Sequence, residues 1–473
     1  MKLIVKNFGP IKDASIDVKP LTVFTGPANR GKSYLATLLH TVIQNRHRPM
    51  MYRYYEVSTK LYGTLKKGND AISDKQFISL VEDSLKTHCQ DLSRDWRENM
   101  NYYFGEISES LLKNKPDINI TSDDDNTIID LMTSTRSCFH QDIRDVLLKN
   151  LKKSKQDEIS PEDFSFHETF YTTERTIRRS IGFPYDIQGN MEYLPAVRSG
   201  IMQSHRLMVS LLIKRATFAG IREQQAIPSF HGIFADFLNR VNSIDKRRLR
   251  FSQDKRRKDI VQLADNVETQ LLEGKVNVIP SPTGTPDFFY QFTQANEKHE
   301  IPLMHSASTV SELSPFVLFL RYYLRKGDFL IFEEPEAHLH PQAQQHLTAL
   351  LIHLIQQGVN VLITTHSSVI LEQLGNCVFA HRFIKKYGKK NPDKVEQLRE
   401  KYPIALSAPL HEKDVAAYDF DRPTKNGRGT IVKHIPYDLN TDYLPEHHYD
   451  VSNELIKEGS TLQTIYDDES LDP

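Results

Sequence analysis

The chain has 473 residues, 39% of them hydrophobic and 26% charged, and its 60 Lys and Arg balance 61 Asp and Glu to a formal net charge of −1. That is enough apolar material for a real core and enough length for two or more lobes, while the charge balance excludes a globally basic nucleic-acid binder. Cys89, Cys138 and Cys377 are scattered without a C-x-x-C pair, so neither a disulfide framework nor a zinc hook is supported; no signal peptide or long apolar run is seen, and the expectation is a cytoplasmic chain with no membrane span of its own.

Residues 1–40 read as short strands, Lys2 to Val5, Ala14 to Val18 and Leu21 to Thr25, leading into a helix. Between the third strand and that helix, Gly26-Pro27-Ala28-Asn29-Arg30-Gly31-Lys32-Ser33 fits G-x-x-x-x-G-K-[ST], a P-loop in its proper setting. The glycines let successive N–H groups turn inward onto a phosphate, and the helix beginning near Lys32 adds its positive end. Lys32 is expected to reach the β- and γ-phosphates and Ser33 to ligate Mg²⁺, with Gly26 to Ser33 and Tyr34 forming the nucleotide cradle. Phe8 follows the first strand, where a core aromatic is a plainer reading than a ring stacked near adenine.

Residues 41–190 are polar and mostly helical in pattern, with a Tyr-rich stretch from Met51 to Tyr55 and loop breaks at Lys115-Pro116 and Thr121 to Asn126, the latter carrying Asp123-Asp124-Asp125. They predict an inserted helical lobe, too interrupted for a long heptad coiled coil, with Trp96 packed inside it. Residues 191–265 begin with a strand end, Tyr193-Leu194-Pro195-Ala196-Val197-Arg198-Ser199, and continue as helices from Ile201. Arg198 reads either as a nucleotide-facing or interface arginine or as a surface charge. The basic block Lys246 to Lys258 reads either as a track for nucleic-acid phosphates or as a solvated helix face, since Asp245, Asp254 and Asp259 flank or interrupt it.

Residues 266–385 are expected to return the chain to the sheet through a hairpin, Gly274 to Ile279 and Phe288 to Phe292. A helix follows near Ser306 to Leu313, where Thr309 and Glu312 have capping-box spacing and Ser308 with free N–H groups would face an anion. On those residues alone a capped helix is the plainer reading. The next strand, Phe329 to Phe332, ends in Glu333-Glu334-Pro335-Glu336, a Walker B in which Glu333 serves the metal and Glu334 polarises the attacking water. Val359 to Thr365 is a further strand ending at His366, a switch histidine that would sense the γ-phosphate. His338, His340 and His366 fit a loop after the catalytic strand better than a metal cluster. Phe379 to Phe383 reads as one more strand, and residues 386–473, with Val415 to Phe420 and Gly429 to Lys433, as a small α/β tail in which His447-His448 is a surface pair. Neither a TOPRIM-like acidic cluster nor an H-N-H constellation is found, so a nuclease within the chain is not expected.

Lys6 to Ile11, the P-loop and, above all, Glu333-Glu334-Pro335-Glu336-Ala337-His338-Leu339-His340-Pro341 resemble the SMC/RecF/OLD branch of ABC-type ATPases. More narrowly, they resemble the stand-alone AAA-family ATPases of bacterial anti-phage operons, such as the ATPase subunit of Septu-type systems. The resemblance covers residues 1–40 and 300–375 and Tyr193 to Ser199, and leaves most of the middle outside it. It implies an α/β, ABC/SMC-like ATPase head with a mixed sheet around the P-loop, split by the helical lobe. It further implies a homodimer, or a multiple of dimers, in which Ser308 of the signature segment completes in trans the ATP site of the other copy. The output it implies is control of a separate nuclease or toxin effector. Three departures stand out: the signature lacks two glycines, Glu333 replaces the usual Asp, and no Gln can be assigned to the Q-loop, for which the Tyr193 to Arg198 strand end is the place to look. Both of the first two point to a switch more than a fast motor. A RecF-type DNA-repair ATPase using Lys246 to Lys258, and an ATP-bound scaffold with little turnover, are the alternative readings.

Overall fold

A computed structural model describes residues 1–44, 100–104, 110–111, 116–121, 128–130, 189–218, 232–244, 257–279, 285–422 and 429–437. The chain opens with β1 (Lys2–Phe8), β2 (Ile11–Asp17) and β3 (Leu21–Thr25), then α1 (Lys32–Gln44). β4 (Asp117–Thr121), β5 (Ile128–Asp130) and β6 (Met191–Leu194) follow, then α2 (Arg198–Phe218), α3 (Gly232–Asn242) and α4 (Lys258–Val267). A π-helical turn, Glu268–Leu272, leads into β7 (Gly274–Ile279), β8 (Asp287–Gln294) and β9 (Glu297–Pro302). The remainder is α5 (Ser308–Tyr322), β10 (Phe329–Glu333), α6 (Pro341–Gln356), β11 (Asn360–Thr364), α7 (Ser368–Tyr387), α8 (Pro392–Lys401), α9 (Pro403–Ser407), β12 (Val415–Asp421) and β13 (Thr430–Ile435).

Among the described residues, ten strands form one mixed sheet in the order β5-β4-β1-β2-β13-β12-β3-β11-β10-β6. From β6 to β12 the neighbours run parallel, whereas β12 with β13 and the β2-β1-β4-β5 edge pair antiparallel. Parallel strands need cover on both faces, and the side-chain alternation supplies it. Leu330 and Phe332 of β10 join a core with α2 to α7, while Phe329 and Ile331 point the other way onto α1. All four are fully buried. At about 1.5–3 kcal/mol for each such side chain, β10 is anchored firmly enough to fix the acids at its end.

The fold class is the expected one, α/β with a mixed sheet around the P-loop, but four local expectations are corrected. Val415 to Phe420 and the strand after Gly429 do not stand apart as a tail: β12 and β13 lie inside the sheet between β3 and β2. Every residue from Val415 to Phe420 is buried, which a small peripheral unit could not provide. The hairpin at Gly274 does not return to this sheet, because β9 occupies the outer edge of β8 and closes a separate three-stranded sheet. Phe379 to Phe383 is helical, within α7, whose N-cap Ser367 accepts a hydrogen bond from the N–H of Ile370 at 3.2 Å; the short apolar run carries no period of its own to separate helix from strand. The region expected to be a helical lobe contributes β4 and β5, which extend the sheet from the free edge of β1. Met51 to Tyr55, Trp96, Asp123 to Asp125, Cys89, Cys138 and His447-His448 lie outside the described residues. Cys377 is buried in α7.

Candidate nucleotide site

The P-loop takes the form its glycines require. Gly26 has φ +125° and Gly31 φ +93°, and Asn29 between them has φ +60°. A Cβ on Gly31 would stand 2.7 Å from Pro10 Cγ and 2.8 Å from Ile11 Cδ1, so neither the backbone angle nor the space admits a side chain. Lys32 opens α1 and folds back over the loop, Nζ donating to the carbonyls of Gly26 at 2.8 Å and Pro27 at 2.9 Å. Burial brings its pKa down to about 8, against the opposing pull of Glu334, Glu336 and Asp419. Ala28, Asn29 and Ser33 are exposed, and Pro27 and Arg30 are half-buried. The Tyr34 ring packs on Phe104, 5.9 Å between centroids, behind the loop. Phe8 is a core residue and meets Phe104 edge-on at 5.5 Å.

β10 and β11 bring the acids and the histidine to the same end of the sheet as this loop. Glu333 is buried: Oε2 accepts from the N–H of Ala196 at 3.0 Å, the Tyr193 hydroxyl lies against the carboxylate, and Oε1 has no hydrogen-bond partner among the described residues. Burial, with the Glu333 charge beside it, holds the Tyr193 phenol well above its usual range. An orphaned buried carboxylate oxygen and the exposed Ser33 hydroxyl are the hard oxygen donors that Mg²⁺ takes, and they fit it.

Glu334 is a non-glycine residue at φ +41°. Its N–H is held by the Thr364 carbonyl at 2.8 Å and the Thr364 hydroxyl at 3.2 Å, so the end of β11 fixes the turn. Its carboxylate is half exposed, with Oε1 3.7 Å from Nε2 of His366. Burial and then Lys32 lower the His366 pKa, which favours the neutral imidazole. Glu336 accepts from the Thr365 hydroxyl at 2.7 Å and the His366 N–H at 2.6 Å, and burial raises its pKa. Glu336 therefore holds the backbone at His366 in place, a contact the bare motif does not reveal.

Arg198 is not a surface charge. It is 0% exposed. Nε donates to Glu312 O at 3.0 Å, Nη1 to Pro195 O at 3.1 Å and Glu333 O at 2.7 Å, and Nη2 to Glu334 O at 3.0 Å. Nη2 also lies 3.1 Å from Glu312 Oε2, an ion pair off the line of a hydrogen bond, and the guanidinium covers the Phe332 ring at 4.8 Å. Burial lowers its pKa while Glu312 opposes the shift. The segment proposed for the Q-loop thus meets the Walker B through a backbone N–H and an arginine.

The capping box at Thr309 is also corrected. α5 starts two residues earlier, its N-cap Ala307 has no side-chain acceptor to offer, and Glu312 is drawn inward by Arg198 and by the Ser199 hydroxyl at 2.5 Å. Thr309 instead donates to His338 O at 3.0 Å, tying α5 to the turn after β10. Ser308 is exposed on the first turn of α5, where helix N–H groups lack intrahelical partners. His340 caps α6 by accepting from the N–H of Gln342, and His338 stands 4.0 Å from Glu312.

Asp419 is a further acid at this site. In β12, opposite Thr25, it places Oδ1 3.1 Å from where a Cβ on Gly26 would stand. Nothing near it in sequence marks it, because the contact is made only when the last strands dock. Of the basic block, Lys246 to Arg256 lie outside the described residues. Arg257 is buried and donates to the carbonyls of Leu320, Arg321 and Leu324 at the end of α5, so it is no phosphate contact. Among the described residues no helix is long and apolar enough to cross a membrane.

A family model described as the AAA ATPase domain matches residues 1–194 and 195–371. A search of the curated proteins finds no match. Among solved structures, the chain is similar to the Smc head bound to the C-winged helix domain of ScpA, at 11% identity and a TM-score of 0.34, over 92% of this chain and 97% of that one. It is also similar to an Smc head domain with an extended coiled coil bound to the C-terminal domain of ScpA derived from Pyrococcus furiosus, at 8% identity and a TM-score of 0.32, over 96% and 98%.

Proposed function

The chain belongs to the AAA ATPase domain family, and on that premise we propose that it binds and hydrolyses ATP with Mg²⁺ as a dimeric switch for a separate effector. The observation that carries the reading is convergence: β3, β11 and β10 are adjacent parallel strands, and the P-loop, His366 and Glu334 follow their C-terminal ends. Ligands of parallel α/β sheets bind at that edge.

The P-loop N–H groups and the start of α1 receive the phosphates, and Lys32 exchanges its two loop carbonyls for phosphate oxygens. Glu334 takes the proton from the water that attacks the γ-phosphorus. Neutral His366, its backbone held by Glu336, donates to a γ-phosphate oxygen and reads whether it is there. Ser33 and Glu333 would hold Mg²⁺, which supplies positive charge to the phosphate oxygens when bound.

The exposed first turn of α5, with Ser308, is the anion-binding end offered to the ATP of a second copy. ATP then holds two copies together and hydrolysis releases them. From the anti-phage ATPases that the chain resembles, the effector we assign is a nuclease or toxin acting with it in the cytoplasm. The test compares native and Glu334→Gln protein: nucleotide binding, phosphate release, complex mass with and without ATP, and the partners recovered from the source cell. Retained binding, lost turnover, an ATP-held dimer and a stoichiometric nuclease or toxin are expected. A partner-free chain that binds duplex DNA only with ATP would sink the effector reading in favour of DNA repair.

A further inference from the structure

We propose that Arg198 is a positioning residue that couples the first turns of α5 to Glu334, so that contact at the outward end of α5 sets the stance of the general base. The inference rests on the ATPase reading above and names how that site is controlled. A guanidinium has five N–H donors in a rigid fork, and here all are engaged: four hydrogen bonds to the carbonyls of Pro195, Glu312, Glu333 and Glu334, and one approach to the Glu312 carboxylate.

Two of those acceptors decide the role. The carbonyls of Glu333 and Glu334 bracket the bend at which Glu334 adopts φ +41°. A positive φ on a bulky residue is strained and persists only where surroundings over-determine it. Thr364 holds the Glu334 N–H and Arg198 holds the Glu334 carbonyl, so the strained residue is gripped from both sides. Released from one grip, the bend relaxes and the carboxylate leaves its place near His366.

The other end of the linkage is α5. Glu312 is one helical turn from the exposed Ser308, its carboxylate is fixed by Arg198 and by Ser199 Oγ, and Thr309 binds the turn after β10 through His338 O. A shift of the first turn of α5 therefore pulls directly on the backbone carrying both glutamates. Arg198 makes no bond to Gly26 to Ser33 among the contacts that hold it, which separates its effect from nucleotide affinity.

The experiment measures kcat, KM and equilibrium ATP binding for wild type, Arg198→Lys, Ser199→Ala and Ser199→Thr. Lysine keeps the charge but presents three donors from a single point. The expected result is a kcat roughly 10²-fold lower for Arg198→Lys, the scale of a catalytic group displaced by about 1 Å, with ATP affinity within about threefold of wild type. Ser199→Ala lowers kcat several-fold, and Ser199→Thr, which keeps the hydroxyl, restores it; that pair decides the matter if Arg198→Lys fails to fold. Wild-type kcat in folded Arg198→Lys or in Ser199→Ala, or turnover and affinity lost in parallel, overturns the coupling while leaving the ATPase reading intact. A wild-type chain that binds ATP without hydrolysing it overturns both.

Discussion

Lys32 is pulled two ways at once: burial favours its neutral amine, while Glu334, Glu336 and Asp419 favour the ammonium, and the balance settles near a pKa of 8. Phosphates raise that pKa when they bind, so binding takes up a proton above it. ATP affinity should fall as pH rises past about 8, by up to about tenfold per unit, which nucleotide titrations between neutral and alkaline pH can check. Stability of the free protein carries the opposite sign. Since the folded pKa lies below the unfolded value of 10.5, the unfolded chain binds more protons between the two, and the Lys32 contribution makes unfolding harder as pH climbs through that window. Glu334→Gln keeps the side-chain shape and removes the base. Phosphate release should drop by about 10²–10⁴-fold with ATP binding preserved, and equal loss of both would remove Glu334 from the role of base.

At the scale of elements, the loop between β3 and α1 depends on Gly26 and Gly31, both at positive φ. Gly31→Ala puts a methyl against Pro10 and Ile11 at a left-handed φ, and it should cost about 1–3 kcal/mol and abolish nucleotide binding, as thermal melts with and without ATP would report. Local features of this kind were legible in the sequence because the P-loop is written in consecutive residues and the strands flanking it are short apolar runs. The acids after β10 and the histidine after β11 were legible for the same reason. Arg198 was not, because its partners other than Pro195 lie 114 to 136 positions away and a lone arginine after a strand carries no mark of burial. The capping box misled for a related reason: Thr309 and Glu312 have the spacing, but Glu312 is claimed by a tertiary ion pair that outweighs a local cap.

For the whole molecule, the family match ends at residue 371, yet the sheet does not close there. β3 has β11 on one side and β12 on the other, so the P-loop strand gains its second neighbour only from the far end of the chain. Composition and strand pattern could locate Val415 to Phe420 as a strand, but pairing across such a separation leaves no local trace. A chain truncated after Glu412 should therefore be insoluble or bind no ATP; a soluble, ATP-binding product in a nucleotide-stabilised melt would refute this dependence. The same arrangement bears on biosynthesis. A growing chain presents β2 and β3 with bare, unpaired edges until β12 and β13 leave the ribosome, an interval in which aggregation competes with folding. A product of interrupted translation that ends before β12 carries the P-loop and the acids of β10 but lacks the two strands that join β3 to β2.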